Sequence, residues 1–385
     1  MPTLRNYTPF PNFRYYSMDN RGEEFGVIIV KATFELAPSG RLLVAEEQAP
    51  MMFTDVCHGA VNASSLWHPS DLVPFKPRAD IITNAVARAP KGAPAASWNC
   101  GVRLEQGEPA YAKLLKVTGP RYWRPKWRRN LSDDEKRDWR RHRADFEGWE
   151  LSTPEPIAEL PLHYEYAFGG ILQKGVDENG KQRAQSSHDN PLGRGWIDKE
   201  WTDHTAPVPA PQIEDAREPI SEPYKAYPPQ SLGPIPPAWL PRRALGGTYD
   251  RNWKEKVWPN WPADYDFAYH NSAHPDLILP TLLKGDERIT LGGFLAERQV
   301  VTFRLPGETL AVDFDEASGL ISRELMTLDT AFFDIAAPEL CDWRVYLTWR
   351  VRFEPDRFTQ ASIIRTAGAR SPEAVRRSIK ERQNA

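Results

Sequence analysis

Two histidines four residues apart, His270 and His274 in the stretch HNSAH, are the sharpest chemical candidate in the sequence. At that spacing two imidazoles share one face of a helix, as the histidines of zinc proteases do. The glutamate that should follow the first histidine is Asn271, and Pro275 opposes a helix through the pair. Just upstream, Asp264 and Asp266 lie among Trp258, Trp261, Tyr265 and Phe267. Paired carboxylates beside rings are what a glycosidase brings to a sugar. In a strand these two would point the same way, too close together for an inverting separation. Asx turns and caps around Pro262 explain them equally well. A carbohydrate-active hydrolase using Asp264 and Asp266 therefore stands as the alternative to the reading reached below.

The remaining motifs fail on their own chemistry. GVDENGKQ (Gly175–Gln182) follows the phosphate-binding loop pattern until its last position, where Gln182 replaces the magnesium-holding Ser or Thr. As a calcium loop it lacks the first carboxylate, since Gly175 occupies that position. GRG at Gly193–Gly195 has no third glycine for a dinucleotide. Cys57 and His58 are neighbours in sequence, which does not make them a catalytic pair. Cys57, Cys100 and Cys341 are scattered, and no C-x-x-C is present. The sequence thus points to no catalytic residue, no cofactor and no metal.

The elements that must position these residues read mainly as strands. Phe25–Leu36, Ala79–Pro90, Ala96–Leu104 and Tyr111–Gly119 are short apolar or alternating runs punctuated by Pro, Gly and Asn. Strand signals return at Ile157–Gly170 and dominate after residue 287. Among them WRVYLTWRVRF (Trp343–Phe353) alternates as a half-exposed strand should. Residues 121–150 differ, with ten basic and seven acidic residues and four Trp. Ser132 and Glu135 form a capping-box pattern, so a solvated, salt-bridged helix is expected there rather than a nucleic-acid surface. Pro207–Pro241 holds 11 Pro in 35 residues, and Ile213, Ile220, Tyr224, Tyr227, Leu232, Ile235 and Trp239 suit it to lie against the body. The tail SPEAVRRSIKER carries Ser371 and Pro372 as a helix start.

The expected fold is therefore mainly β: an antiparallel β-sandwich or partly open barrel with long Pro-rich loops, one inserted charged helix and a short C-terminal helix. The expected division is a β-rich domain over 1–300, holding the insertion at 121–150 and the Pro-rich loop at 207–241. A C-terminal β-rich region over 301–385 packs on it. Net charge is −3 over 385 residues, and neither an apolar leader nor an 18-residue apolar window occurs. A cytoplasmic protein without membrane insertion or nucleic-acid binding is expected.

Several stretches together carry a family resemblance: KATFEL (Lys31–Leu36), FKPRADI (Phe75–Ile81), VTGPRYW (Val117–Trp123), PLHYEYAFGG (Pro161–Gly170) and NPLGRGW (Asn190–Trp196). The series continues with LGPIPPAWLPRRALGGTYDRNW (Leu232–Trp253), WPADYDFAYHNSAHPDL (Trp261–Leu277), LKGDE (Leu283–Glu287) and LTWR (Leu347–Arg350). In this order, from about Tyr16 to Arg352, the chain resembles a domain-of-unknown-function family found beside type VI secretion genes in Gram-negative bacteria. The most specific part is W-x-P-R…G-T-Y-D-x-x-W…P-x-D-x-D. The chain departs from the pattern in its charged segment 124–150 and at Pro120, where an acidic residue is more usual.

The resemblance implies an adaptor or chaperone that binds a toxic effector, a PAAR-repeat tip protein or the spike protein, to promote loading onto the spike without catalysis. A permanent structural component of the secretion machine is a further alternative. The partner-binding candidates are Trp239, Arg242, Arg243, Tyr249, Asp250, Trp253, Trp258 and Trp261, types that dominate binding hot spots. Each has a structural reading beside it: Arg243 and Asp250 can pair with one another, and Trp253 can be core.

Overall fold

A computed structural model describes residues 2–107, 110–178, 180–316 and 318–366. Its largest sheet runs in the order Glu159–Pro161, Ala79–Arg88, Thr327–Ile335, Arg344–Phe353, Glu24–Leu36, Asn12–Met18, with two short strands joined at its flanks. A second sheet holds Ile213–Asp215, Tyr111–Thr118, Ser97–Glu105, Arg288–Gly292 and Val300–Arg304, all antiparallel. A third orders Thr3–Asn6, Phe358–Thr366, Thr309–Glu316 and Ile321–Leu325. Pairing is antiparallel almost throughout. Ala79–Arg88 beside Thr327–Ile335, and Thr3–Asn6 beside Phe358–Thr366, are parallel. Among the described residues these sheets stay open rather than closing into a barrel, so the architecture is mainly β and sandwich-like.

The period-2 pattern of strands explains the core. On Glu24–Leu36 the even residues Ile28, Val30, Ala32, Phe34 and Leu36 face the shared core, which they form with Val102, Leu115, Ile289, Val312 and others from the second and third sheets. From Arg344–Phe353, Val345, Leu347 and Trp349 join the same core. The boundary drawn at residue 300 runs through this sheet, because two strands from beyond it lie between strands from before it.

The opposite face of the sheet is also covered, and it is polar. Lys31, Asp80, Asp329, Thr330 and Arg350 are all buried there. Lys31 Nζ donates to Asp71 Oδ2 at 2.9 Å and to His68 Nε2 at 3.0 Å. Arg350 pairs with Asp329 and donates to the Asp71 carbonyl at 2.9 Å. Thr330 Oγ1 donates to Asp329 at 2.7 Å and accepts from Lys76 Nζ at 2.8 Å. Lys76 reaches Asp80 at 2.7 Å, and Asp80 accepts from Asn271 Nδ2 and the Ser272 N–H, each at 2.9 Å. Three cations and three carboxylates balance in one continuous layer. On this face of WRVYLTWRVRF, Thr348 and Arg350 are thus buried, Arg350 against polar partners, while Arg352 stays exposed as expected from sequence.

Two other expectations change. Residues 121–150 form an antiparallel pair, Tyr122–Trp127 with Phe146–Leu151, and the helix between them spans only Asp133–Arg137. The capping box at Ser132 and Glu135 is present. Trp123 and Trp149 turn inward, and this burial holds the ribbon against Ile197, Ile220 and Tyr227. The predicted C-terminal helix lies outside the described residues. The Pro-rich chain does lie against the body, with Ile213, Ile220, Tyr227, Leu232, Ile235 and Trp239 buried and Tyr224 exposed. No helix among the described residues is long and apolar enough to cross a membrane.

Removing one partner from the polar layer leaves its counter-charge buried, which costs ~3–5 kcal/mol. Asp80→Ala should therefore lower the free energy of urea unfolding by about that amount, because buried Lys76 loses its counter-charge and Asn271 and Ser272 each lose a hydrogen bond. A loss under about 1 kcal/mol would show that the layer does not hold the sheet to the corner.

Candidate docking corner

The segment that carries the most specific resemblance is a self-tied corner. Helix Arg242–Leu245 enters it from Trp239, which is 7% exposed and packs edge-on against Tyr164 at 5.5 Å. Arg242, 9% exposed, donates from Nη1 to the Ile235 carbonyl at 2.5 Å and from Nε to the Tyr269 carbonyl at 3.0 Å. Both side chains are internal. Rather than being presented outward to a partner, an indole against a tyrosine and a guanidinium on two backbone carbonyls clamp the corner from within.

The chain then reverses at Gly247, whose φ of +83° favours glycine. A Cβ there would also stand 2.9 Å from Pro262 Cβ, so glycine is required by space as well. Asp264 accepts from the Thr248 N–H at 3.0 Å and its hydroxyl at 2.7 Å. These bonds hold its carboxyl below the usual carboxylate range. Asp250 caps helix Arg251–Lys256 by accepting from the Trp253 N–H at 2.8 Å. Asp266 caps the next turn through the Ala268 N–H at 2.8 Å. Asp264 and Asp266, the pair a hydrolase would use, are thus both engaged with backbone. Arg243 is exposed, and among the described residues no ion pair joins it to Asp250.

The histidines are not on one helical face. His270 ends the 3-10 turn Phe267–His270, Asn271 is extended, and His274 caps the turn Pro275–Leu277. His270 Nε2 lies 2.8 Å from the Tyr265 hydroxyl. His274 Nδ1 accepts from the Asp276 N–H at 3.2 Å, and Nε2 faces the Pro229 carbonyl at 3.3 Å. Burial, aided by Arg242, pushes His270 down to about 3; burial, aided by Lys113, does the same to His274. Each ring is neutral and has its own partner. Among the described residues no three His, Cys, Asp or Glu side chains converge as a metal would require. At the other candidate pair, His58 turns from Cys57 to stack on His163, ring centroids 4.0 Å apart.

What the corner presents outward is aromatic. Trp253 is half-buried, donates its indole N–H to the Asn260 carbonyl at 2.9 Å, and meets Tyr249 edge-to-face at 4.7 Å. Trp261 is half-buried on Tyr265 at 4.2 Å. Tyr249 and Trp258 are 59% and 67% exposed. Arg251, Lys254 and Lys256 lie on the same short helix as Trp253, with Arg251 paired to Glu255 at 2.7 Å. Of the eight candidates, then, Arg243, Tyr249, Asp250 and Trp258 are exposed, Trp253 and Trp261 are half-buried, and Trp239 and Arg242 are buried.

Residues 21–350 match the family described as "Uncharacterized protein conserved in bacteria (DUF2169)". The chain belongs to this family. No curated protein matches it, and no solved structure does. The matched span contains every charged member of the polar layer, from Lys31 to Arg350, together with the whole corner. Sequence reasoning missed that layer; its only signal was charged residues set inside strands that otherwise read as core.

The neutral histidines make stability pH-dependent. Above about pH 6.5 His270 and His274 are uncharged both folded and unfolded, so their contribution is complete. Between that pH and about 3 the unfolded chain takes up protons that the folded chain refuses. Stability should fall on acidification by up to ~1.4 kcal/mol per pH unit for each buried histidine. Urea unfolding from pH 7 to pH 4.5 measures it, and His274→Gln should reduce the slope by about one proton's worth. An unchanged slope in that variant would show that His274 protonates freely in the fold.

Proposed function

We propose that this chain is a cytoplasmic adaptor of type VI secretion. It binds a toxic effector, a PAAR-repeat tip protein or the spike protein, and promotes loading by protein–protein contact without catalysis. The observation that carries the reading is the ledge of Tyr249, Trp253 and Trp258 on a corner whose acids and buried arginine are spent on holding its own backbone. Exposed rings on a preordered support cost little entropy to dock, and Trp and Tyr are typical binding anchors. Lys254 and Lys256 on the helix of Trp253, where Arg251 is held by Glu255, favour a partner face that carries acidic groups. The ordered series of sequence stretches resembling the secretion-associated family supplies the partner class.

The test is capture of the effector and tip proteins encoded beside this gene by the purified full chain. The wild type should retain at least one of them. The double variant Tyr249→Ala/Trp258→Ala should retain it tenfold or more weakly with an unchanged unfolding midpoint, because both rings are exposed. Failure of the wild type to hold any folded neighbour would refute the reading. Equal capture by the double variant would move the docking surface elsewhere.

A further inference from the structure

A second feature lies away from the ledge. A cleft of about 660 Å³ opens between the Pro-rich chain and the start of the turn at His274. That volume suits a ligand of several residues or a small molecule. Its apolar walls include Ile220, Tyr227, Pro228, Pro229, Leu240 and Pro241. Pro228, Pro229 and Pro241 have no N–H to give a ligand's backbone, so along that wall selection falls to side chains.

The charges around it are arranged by side. Asp189, Glu214, Asp215, Glu218 and Asp276 line the cleft, and Arg217 is the one cation among the lining residues. The cations that hold these acids mostly stand outside the lumen. Arg121 and Lys116 pair with Glu214, Lys113 with Asp276 and Lys225 with Glu218, while Arg217 pairs with Asp215. Asp189 is exposed and has neither a side-chain hydrogen bond nor an ion pair among the described residues. Glu214 is itself buried, so the carboxylates left toward the lumen are Asp189, Asp215, Glu218 and Asp276; with cations mostly behind and apolar walls, they complement an aliphatic stem that ends in a positive head.

We infer that this cleft receives an arginine side chain, with its flanking apolar residues, from a segment of the partner polypeptide. Arginine suits it better than lysine. Its guanidinium is more weakly hydrated, and its planar donors can engage more than one carboxylate. The identity of the segment's owner rests on the adaptor reading; the chemistry of the cleft does not.

The probe is Nα-acetyl-arginine amide, titrated into the full chain with labelled isoleucine methyls. Ile213, Ile220 and Ile235 line the cleft and report occupancy. Saturable shifts of these methyls are expected, with uncharged Nα-acetyl-norleucine amide binding at least tenfold more weakly. Asp189→Asn should weaken the arginine probe threefold or more. Ala226→Trp, which puts a ring into the lumen from an exposed position, should abolish it. Equal binding of the norleucine probe, or unchanged shifts in Ala226→Trp, would overturn the inference. Spermidine binding tenfold tighter than the arginine probe would replace the polypeptide by a free polyamine and overturn it too. In the capture experiment Ala226→Trp should cut retention of the partner. Full retention would refute the cleft as a docking place and leave the adaptor reading intact. A wild type that binds the arginine probe but captures no partner would sink the adaptor reading and leave the cation cleft standing.

Discussion

The arrangement on which the rest depends is the buried layer of opposite charges across one face of the main sheet. Lys31, Asp71, Arg350, Asp329, Lys76 and Asp80 come from strands and loops far apart in the chain, and none is free to move without stranding another. Burying ions in place of hydrocarbon does not by itself raise stability. What such a layer supplies is selectivity, because an apolar contact tolerates a shift in register and a bonded charge does not. Here it fixes how the covering chain, including Asn271 and Ser272, sits on the strands.

That constraint explains why the corner looked like a reaction centre. Asp250, Asp264 and Asp266 each hold backbone N–H groups, and His274 does the same through Nδ1. Arg242 saturates two carbonyls behind them. Acids and imidazoles crowd together because a chain that reverses often, with many prolines unable to donate, needs side chains to complete its hydrogen bonds. The rings left over face solvent on a support that is already ordered.

Much of the fold was legible. The apolar runs at Phe25–Leu36, Ala79–Pro90 and Tyr111–Gly119 are strands, and the Ser132 capping box is real. The Asn12–Met18 and Phe358–Thr366 strands were missed, because NFRYYSM and FTQASIIRT show no clean alternation. The ribbon at 121–150 read as a helix since its charges outnumber its rings, while burial of Trp123 and Trp149 decides its form. Trp239 and Arg242 were read as surface for a related reason. Residue type sets what a side chain can bind, but whether its partner is this chain or another is a tertiary fact. The period of a strand likewise tells which residues share a face, not what covers that face, so Arg350 passed for half-exposed.

The order of strands in the main sheet has a bearing on biogenesis. Glu35 is paired with Arg344, and Asp80 with Thr330, so the longest apolar strand of the amino-terminal region lies beside one of the last to be synthesised. On its other side it has only the short Asn12–Met18 strand and the Leu42–Val44 return. While the middle of the chain is being translated, one side of that strand is an open template, and Lys31 lacks the Asp71 carboxylate until its loop is made. Sheets closed by such distant pairings form slowly, and their half-made intermediates expose aggregation-prone edges. A chain closed in this order is thus, during its own synthesis, a client for general folding helpers.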